Sequence, residues 1–272
     1  LVPRVTDQVV KGLTSGKIFA SDINYTFSMP RLSGRVSVFQ TNFYDQLERM
    51  AYYHDAERTF VFHNLIAVDK VNRGIEAAAT YRLNDNWNFD FIGTMAEYYY
   101  SNNPMGVMNA ENGKLVDVEE MVYMKDLYVS GTPQFAGSLA ARYFYDYWFL
   151  ELSANAVGRN YLAASALRRL ASNYTDINPY DETSYEAYKT LTTQEKFKDA
   201  VTVDASIGKL FYLKNRKALN FNFSVMNLLN KKDIRTGGYE QGRLDTTNPN
   251  RFASRYFYMQ GINVFFNVSY RF

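Results

Sequence analysis

Two histidines are the side chains of this 272-residue sequence whose ordinary pKa lies nearest to neutral pH. His54 and His63 are nine residues apart, and the carboxylates of Asp45 and Asp55 lie close by in sequence. A metal or acid–base site needs groups that converge in space, and no spacing here enforces convergence. We therefore expect both histidines to be ordinary loop residues, and the sequence predicts no catalytic residue, no metal ligand and no cofactor.

Two other groups of acidic residues could do chemistry. Asp176, Asp181 and Glu182 offer oxygen ligands of the kind that Ca²⁺ prefers, although a solvated loop is the simpler interpretation. The pair Glu119–Glu120 is best interpreted as part of a solvated acidic loop. The sequence therefore favours loops over metal sites in both places.

Composition excludes several further functions. Cysteine is absent, which rules out disulfides, zinc–thiolate sites and cysteine nucleophiles. The formal net charge is only +2, and basic residues do not form runs, so a nucleic-acid partner is not expected. Gly237–Gly238 lacks the strand-to-helix context of a phosphate-binding loop.

Charged residues of both signs recur at alternate positions of predicted strands. They are Asp22, Glu76, Arg82, Asp90, Arg142, Glu151, Arg159, Asp204 and Arg271. Such residues line the interior of a β-barrel, where they either pair with one another or contact a ligand. Our candidate ligand-binding residues are Arg142 and Glu151, together with Arg159, Asn160 and Tyr161 higher up, where a strand meets long loops.

The last stretch of the chain, from Tyr256 to Phe272, shows what kind of element carries these residues. Apolar or aromatic side chains occupy every second position apart from Gln260, and the intervening side chains are mostly polar. This period of two predicts a strand with one apolar face and one polar face. A soluble protein would leave that apolar face exposed, whereas a membrane barrel would turn it to lipid.

The same alternation predicts about nine strands. They cover residues 19–29, 34–45, 60–83, 87–95, 135–143, 148–159, 201–207, 219–225 and 256–272. Short turns at Pro30, Asn84, Asp146 and Asn215 alternate with long loops that begin at 46, 101, 161 and 231, and the first of these loops runs to Arg58. Outer-membrane barrels show this asymmetry, with short periplasmic turns and long extracellular loops.

Aromatic residues, 17% of the chain, crowd the short-turn ends of the strands. Trp87, Trp148, Tyr270 and Phe272 are therefore predicted to be lipid-facing anchors of an interfacial girdle. No apolar run reaches the roughly 18 residues that a membrane helix needs. The alternative of a soluble β-sandwich explains the alternation but not the sorting of loop lengths. The sequence thus favours an all-β, antiparallel transmembrane β-barrel.

Three segments resemble TonB-dependent outer-membrane receptors. They are Asn72-Arg73-Gly74-Ile75-Glu76, Val225-Met226-Asn227-Leu228-Leu229-Asn230-Lys231 and the terminal Phe272, in the order and strand positions of that family. The run from Phe43 to Glu76 looks like the Bacteroidota branch. The resemblance implies that residues 1–272 are the C-terminal part of one outer-membrane barrel, nine strands of 22, without the plug and N-terminal strands.

This resemblance also implies function and partners. We expect part of an active transporter for a nutrient such as a glycan, peptide or metal chelate, located in the outer membrane and not an enzyme. Expected partners are outer-membrane lipid, the rest of the barrel with its plug, TonB through the N-terminal part, and a surface lipoprotein. The alternatives are a passive porin or structural barrel, and a barrel enzyme.

Overall fold

The structure, a computed structural model, describes residues 9–55, 57–175, 182–245, 248 and 250–272. The strands of this part are β1 (Lys17–Ser28), β2 (Leu32–His54), β3 (Thr59–Arg82), β4 (Trp87–Tyr100), β5 (Met105–Ala110), β6 (Val118–Met121), β7 (Phe135–Tyr145), β8 (Trp148–Gly158), β9 (Ala200–Tyr212), β10 (Ala218–Met226), β11 (Arg235–Tyr239), β12 (Arg255–Tyr258) and β13 (Asn263–Arg271). Two 3₁₀ turns, Ala166–Arg169 and Ala171–Tyr174, and the helix α1 (Glu182–Thr192) complete it. None of the helices described is long and apolar enough to cross a membrane.

Nine of these strands form one antiparallel sheet in the order β1-β2-β3-β4-β7-β8-β9-β10-β13. This confirms the predicted all-β architecture, and the four short turns fall where the sequence placed them. Across the described ranges no pairing joins β1 to β13, so the sheet is open and has two free edges. The strands of the sheet end on one side in the short turns, and we call that side the short-turn end. We call the opposite side the long-loop end.

One face of the sheet is apolar and exposed. Ile23, Val38, Ile75, Met95 and Phe135 are directly paired across five neighbouring strands, and each is at least 36% exposed. Directly opposed residues of paired strands point to the same face. A continuous exposed apolar belt of this size is unfavourable in water, and it fits hydrocarbon. We expect this belt to be the part of the sheet that crosses the membrane.

The opposite face is polar along the same rows. One row consists of Asn24, Ser37, Glu76 and Thr94, again paired directly across four strands. A second row pairs Asn222 of β10 with Asn267 of β13. Apolar and polar rows alternate with the period of two that the sequence shows, so the assignment of faces along these strands is confirmed.

Strands β2 and β3, with 23 and 24 residues, are about twice as long as the roughly 9–11 residues that cross a bilayer. The prediction of a loop from Gln46 to Arg58 is therefore wrong, since β2 continues to His54 and the connection to β3 is short. The predicted loop 101–132 likewise contains two strands, of which β5 pairs with the upper half of β3 and β6 pairs with β5.

Two bulges explain why the alternation pattern does not predict the extension of β2 beyond Gln46. The pairing of β2 with β3 shifts between Phe43 and Glu48, and Asp45 and Ala67 have positive φ angles of 55° and 53° there. A bulge adds one residue, so the positions that face the polar side change from odd to even along β2. Alternation is regular on either side of the bulge, but a single unbroken pattern does not fit both halves.

The predicted final strand is also interrupted. Residues 256–258 belong to β12, which pairs with β11, and only β13 joins the sheet. Two asparagines stabilise the break, because Asn227 donates to the carbonyl of Gln260 at 2.9 Å and Asn230 accepts from the amide of Ile262 at 3.0 Å. Gln260, the exception in the apolar pattern, marks this break.

A compact hydrophobic core lies at the long-loop end, on the same side as the polar face of the sheet below. Tyr52, Leu65, Tyr100, Met108 and Val122 belong to it, and β2, β3, β4, β5 and the segment after β6 all contribute. The 3₁₀ turns that follow β8 close it from above. The long connections are therefore folded over the sheet rather than extended into solvent.

Candidate ligand-binding cavity

The long connections are held together by polar contacts as well as by the core. Arg169 of the first 3₁₀ turn forms a buried ion pair with Glu240, which follows β11. The backbone carbonyl of Arg169 also accepts from the amide of Tyr123, after β6. Three connections thus meet at Arg169. We call the described parts of residues 101–134, 159–199 and 227–262 together the cap.

A cavity of about 700 Å³ lies between the cap and the tip of the β2–β3 hairpin. This volume is within the roughly 300–1,000 Å³ that small-molecule sites occupy. Its lining is Tyr52, Tyr53, His54, Asp55, Glu57, Met108, Leu115, Val118, Glu120, Leu167, Leu170, Ser172, Asn173, Gly242, Arg243, Leu244, Asp245, Arg251 and Phe252. Aliphatic and aromatic walls with a few polar groups are the usual composition of a binding site.

The central polar group of the cavity is the pair of Arg243 and Asp55. The guanidinium donates twice, from Nε to Oδ2 at 2.9 Å and from Nη2 to Oδ1 at 2.7 Å, and it lies 4.3 Å from the ring centroid of Phe252. The hydrogen bond from Arg243 lowers the pKa of Asp55, and the same bond raises the pKa of Arg243. Both groups are therefore charged throughout the neutral range.

The other charged groups that line the cavity also have hydrogen-bond or ion-pair partners. Arg251 donates to Asp245 at 2.9 Å, and Glu57 lies 3.5 Å from the ammonium of Lys114. Glu120 accepts from the backbone amide of Ser172 at 2.6 Å. Two guanidinium–carboxylate pairs therefore line the cavity, and Glu120 is a carboxylate whose hydrogen bond goes to a neutral backbone amide.

Comparison with known proteins identifies the family. The sequence profile described as "TonB dependent receptor-like, beta-barrel" matches residues 19–228, more than three quarters of the chain. The chain belongs to this family. Since the family's barrels reside in the outer membrane, the chain is part of an outer-membrane β-barrel. We expect its apolar face to lie against lipid and its polar face to line the lumen.

Solved structures of outer-membrane proteins share this fold at low sequence identity. The copper transporter OprC matches with a TM-score of 0.61 and 12% identity over 98% of this chain and 33% of its own. The ferric yersiniabactin uptake receptor FyuA from Yersinia pestis matches with 0.56 and 17% over 94% and 30%. The outer membrane transporter YddB from Escherichia coli matches with 0.54 and 9% over 94% and 33%.

This receptor chain spans about a third of the solved structures that it matches. No curated protein sequence matches it. The comparisons therefore support the fold and the family, and the identity of the ligand has to be argued from the chain itself.

The candidate residues Arg142 and Glu151 lie in the lower lumen wall, far from the cavity lining. The guanidinium of Arg142 donates to Glu151 at 3.1 Å and lies 3.2 Å from Asp90, which also accepts from Thr80. Asp204 likewise accepts from Asn155 and from the amide of Asn227. The sequence analysis expected these charged residues either to pair with one another or to contact a ligand. The contacts of Arg142 show pairing.

The candidate residues Arg159, Asn160 and Tyr161 lie together where β8 enters the cap. Arg159 donates to the hydroxyl of Tyr128 at 3.2 Å, and the rings of Tyr128 and Tyr161 stack with centroids 4.3 Å apart. Asn160 donates to the carbonyl of Thr236 at 3.3 Å. This cluster does not line the cavity, so the five candidates occupy two places and neither is the cavity.

The four predicted anchors all lie at the short-turn end and are at least 38% exposed. Trp87 contacts Tyr143 at a centroid distance of 4.8 Å, and the ammonium of Lys209 lies 5.1 Å from the ring of Trp148. The ammonium of Lys209 also lies 3.0 Å from the carboxylate of Asp146 in the turn. Tyr270 and Phe272 are neighbours at 6.1 Å. This arrangement supports a girdle, and contact with lipid stays a prediction.

The expectation for the histidines is wrong, because both lie on strands. His63 is fully buried in the cap core, and its two ring nitrogens have no partner within the described residues. Burial lowers the pKa of His63 to about 4, so the ring is neutral at physiological pH. A Cβ on Gly106 would lie 2.1 Å from Nε2, which explains the glycine. His54 ends β2 and accepts from the amide of Glu57.

The acidic trio considered for Ca²⁺ is not tested. Asp176 and Asp181 lie outside the described residues, and so does the side chain of Glu182. In the remaining chain no group of three or more His, Cys, Asp or Glu side chains is arranged to hold a metal ion. Glu119 pairs with Lys11, and Glu120 faces the cavity instead of being an ordinary solvated loop residue.

The residues that form the centre of the cavity were missed by sequence reasoning. Asp55 and Arg243 are 188 residues apart, in segments that show no alternation and that were interpreted as loops. Asp55 was considered only as a partner of the histidines. A glycine is needed at position 242, since a Cβ there would lie 2.8 Å from the Cβ of Tyr52. A single glycine in the sequence does not indicate which residue it contacts.

Proposed function

We propose that this chain is the C-terminal wall of a TonB-dependent transporter that takes up a nutrient actively across the outer membrane. In this proposal the nine strands belong to a barrel of 22, a plug fills the lumen, and TonB supplies energy through the N-terminal part. The open sheet supports it, because unpaired strand edges cost several kcal/mol per backbone group in hydrocarbon. Strands β1 and β13 must then pair with other strands of the same barrel.

The observation that carries the proposal is the cap and its cavity. The long connections fold inward over the lumen side and enclose a space of ligand size. A receptor that captures a scarce nutrient needs such a site, whereas a passive porin keeps a water-filled lumen. The nutrient classes in question are glycans, peptides and metal chelates.

Orientation and origin belong to the same proposal. The cap is extracellular and the short turns are periplasmic, which places the cavity where a nutrient arrives. The stretch from Phe43 to Glu76 favours the Bacteroidota branch of the family, in which a surface lipoprotein partner is expected. The ligand-contacting role of Arg159, Asn160 and Tyr161 at the base of the cap is also part of the proposal.

The test uses the full-length receptor. Purified protein is inserted into planar bilayers, and uptake by cells that express it is followed with the membrane energised and after collapse of the proton motive force. An active transporter shows no open-channel conductance and loses uptake on de-energisation. A steady conductance with uptake that survives de-energisation would establish the porin alternative.

A further inference from the structure

We propose that a groove on the apolar face of the sheet binds a phosphate-bearing glycolipid of the outer leaflet, with Arg73 and Arg159 as contacts of its phosphate and the apolar belt as the contact of its acyl chains. The inference rests on the proposed orientation, in which the long-loop end lies outside the cell. It concerns the outer surface of the barrel and not the ligand of the cavity. It is carried by the shape of the groove, by the charges along one of its walls and by their distance from the short-turn end.

The groove runs across β1, β2, β3 and β4 and has a volume of about 550 Å³. Its lower wall is the part of the apolar belt from Ile23 on β1 to Met95 on β4. Its upper wall is the next row on the same face, whose members are again paired directly: Ser21, Gln40, Arg73 and Glu97. The groove is therefore apolar towards the short-turn end and polar towards the long-loop end.

The upper wall carries two guanidinium groups and one carboxylate. Arg73 donates to Oε2 of Glu97 from Nε at 3.1 Å and from Nη2 at 2.8 Å. Arg159 also lines the groove, and its Nη2 lies 3.9 Å from Oε1 of the same carboxylate. Because two cations share one anion, the cluster has an excess positive charge. The bonds to Glu97 use two of the five N–H donors of Arg73, so an anion can bind without displacing Glu97.

Two carboxylates near this cluster have cationic partners of their own. Asp199 accepts from the backbone amide of Arg159 and lies 3.6 Å from the ammonium of Lys196. Asp45 lies 3.0 Å from the ammonium of Lys17, at the start of β1. These carboxylates therefore do not cancel the excess charge of the groove.

The distance from the short-turn end places the cluster at the opposite boundary of the membrane. The stretch of β4 from Trp87 to Glu97 is 11 residues long, and roughly 9–11 residues of a tilted strand cross the hydrocarbon. Tyr99, the next residue on this face, has its ring centroid 5.5 Å from the guanidinium of Arg73. Tyrosine rings favour the membrane–water interface. At this level the guanidinium groups meet lipid headgroups.

A phosphate group fits such a cluster better than a neutral headgroup does. A guanidinium binds phosphate through two parallel charge-assisted hydrogen bonds, and basic pockets at the membrane surface bind anionic headgroups. The outer leaflet of an outer membrane is built of glycolipids whose sugars carry phosphates. With a phosphate at Arg73, the acyl chains of such a lipid extend over the lower wall, past Ile75, into the hydrocarbon.

Two variants of the full-length receptor test the two walls separately. Arg73→Gln removes one cation, and Ser21→Trp fills the groove while leaving its charges in place. The control for lost charge is Arg235→Gln, because Arg235 pairs with Glu195 in the cap at a similar exposure. The control for added bulk is Leu139→Trp, because Leu139 is exposed on the same face and lies outside the groove. Arg159 is left unchanged, since it is also a proposed nutrient contact.

Binding of lipids to the purified receptor in detergent is measured by native mass spectrometry. The lipid probes are lipid A with its phosphates and the same lipid A after enzymatic dephosphorylation. Inorganic phosphate is the third probe and is measured by calorimetry. We expect one phosphorylated lipid A to bind per receptor. Its affinity should fall fivefold or more in Arg73→Gln and Ser21→Trp and should stay within twofold in both controls.

Equally tight binding of dephosphorylated lipid A would overturn the role of the phosphate. Inorganic phosphate that binds as tightly, with the same dependence on Arg73, would overturn the lipid as the ligand. Losses in the controls as large as those in the groove variants would overturn the site. Energised uptake by a receptor that binds no lipid A would leave the transport proposal standing, whereas lipid binding by a protein with open-channel conductance would leave only the lipid site.

Discussion

The guanidinium of Arg169 and the carboxylate of Glu240 form a buried ion pair between two connections that are 71 residues apart in sequence. Nη1 and Oε2 are 2.5 Å apart, and the side chains are only 1% and 6% exposed. The same carboxylate oxygen accepts from the amide of Ser165 at 2.7 Å. The pair therefore joins two otherwise separate connections into one cap above the lumen.

Removing one member of this pair should open the cap. Glu240→Gln leaves the Arg169 guanidinium buried without its counter-charge, and breaking a buried pair costs about 3–5 kcal/mol. We expect amide hydrogen exchange to accelerate in residues 161–175 and 235–245 while the wall strands stay protected. The double variant Arg169→Met/Glu240→Leu should recover much of the protection. Unchanged exchange in Glu240→Gln would mean that the pair does not hold the cap.

The two faces of β13 should respond oppositely to charge. Val268 is paired with Phe221 on the apolar face, whereas its neighbour Asn267 is paired with Asn222 on the polar face, and both lie near the middle of β13. Val268→Arg should cost roughly 2–4 kcal/mol near the membrane midplane, and Asn267→Arg should be mild. Unfolding of the full-length receptor in urea and lipid measures both. Equal costs would contradict the assignment of faces.

Topology can be tested by labelling, because none of the 272 residues is cysteine. A single cysteine at Asn112, in the connection between β5 and β6, should react with a membrane-impermeant maleimide on intact cells. A cysteine at Asn215, in the short turn between β9 and β10, should react only after the outer membrane is permeabilised. Labelling of position 215 on intact cells would reverse the proposed orientation.

The buried ring of His63 should make the cap sensitive to acid. Its pKa is about 4 in the folded protein against 6.5 for the free side chain, so the unfolded state binds the proton first. Stability is therefore complete above pH 6.5 and is lost as the pH falls towards 4, by up to about 3 kcal/mol. Of the charges that face the ring, Glu120 opposes this shift.

The measurement compares limited proteolysis of the cap at pH 7.5 and pH 5.0 in the wild type and in His63→Gln. Cleavage should increase at pH 5.0 in the wild type, and the variant should show a smaller increase even if it starts from a higher level. A pH dependence that survives the substitution would assign the effect to other groups.

Much of the wall was predictable from the sequence because its physics is local. In a strand that lies between lipid and water, apolar and polar side chains must alternate. The faces to which residues such as Ile75 and Glu76 point can therefore be predicted without knowing which strands lie next to them. The turn at Asn84 and the aromatic residues near it, such as Trp87, follow from the same periodicity. These features predicted about nine strands.

The cap was not predictable, because its contacts are distant in sequence and its strands break the period. The bulge at Asp45 and Ala67 shifts the alternation, so β2 beyond Gln46 no longer matches the pattern of its lower half. The alternation therefore indicates candidate residues only where it is clear, as at Arg142, Glu151 and Arg159, and it does not indicate the residues of the cavity.

Sequence alone determined that this chain is a membrane-spanning β-wall with a lipid face, a lumen face and two unequal ends. Only the tertiary structure decided that the long connections form a packed cap, that Arg169 meets Glu240, and that Asp55 meets Arg243 in a cavity. The physical reason is that successive side chains of a strand point to opposite faces, and each face contacts the same surroundings along the whole strand. The alternation of apolar and polar residues therefore shows which surroundings each residue faces. A pair that is 188 residues apart leaves no local pattern, since its energy appears only once the chain has brought both groups together.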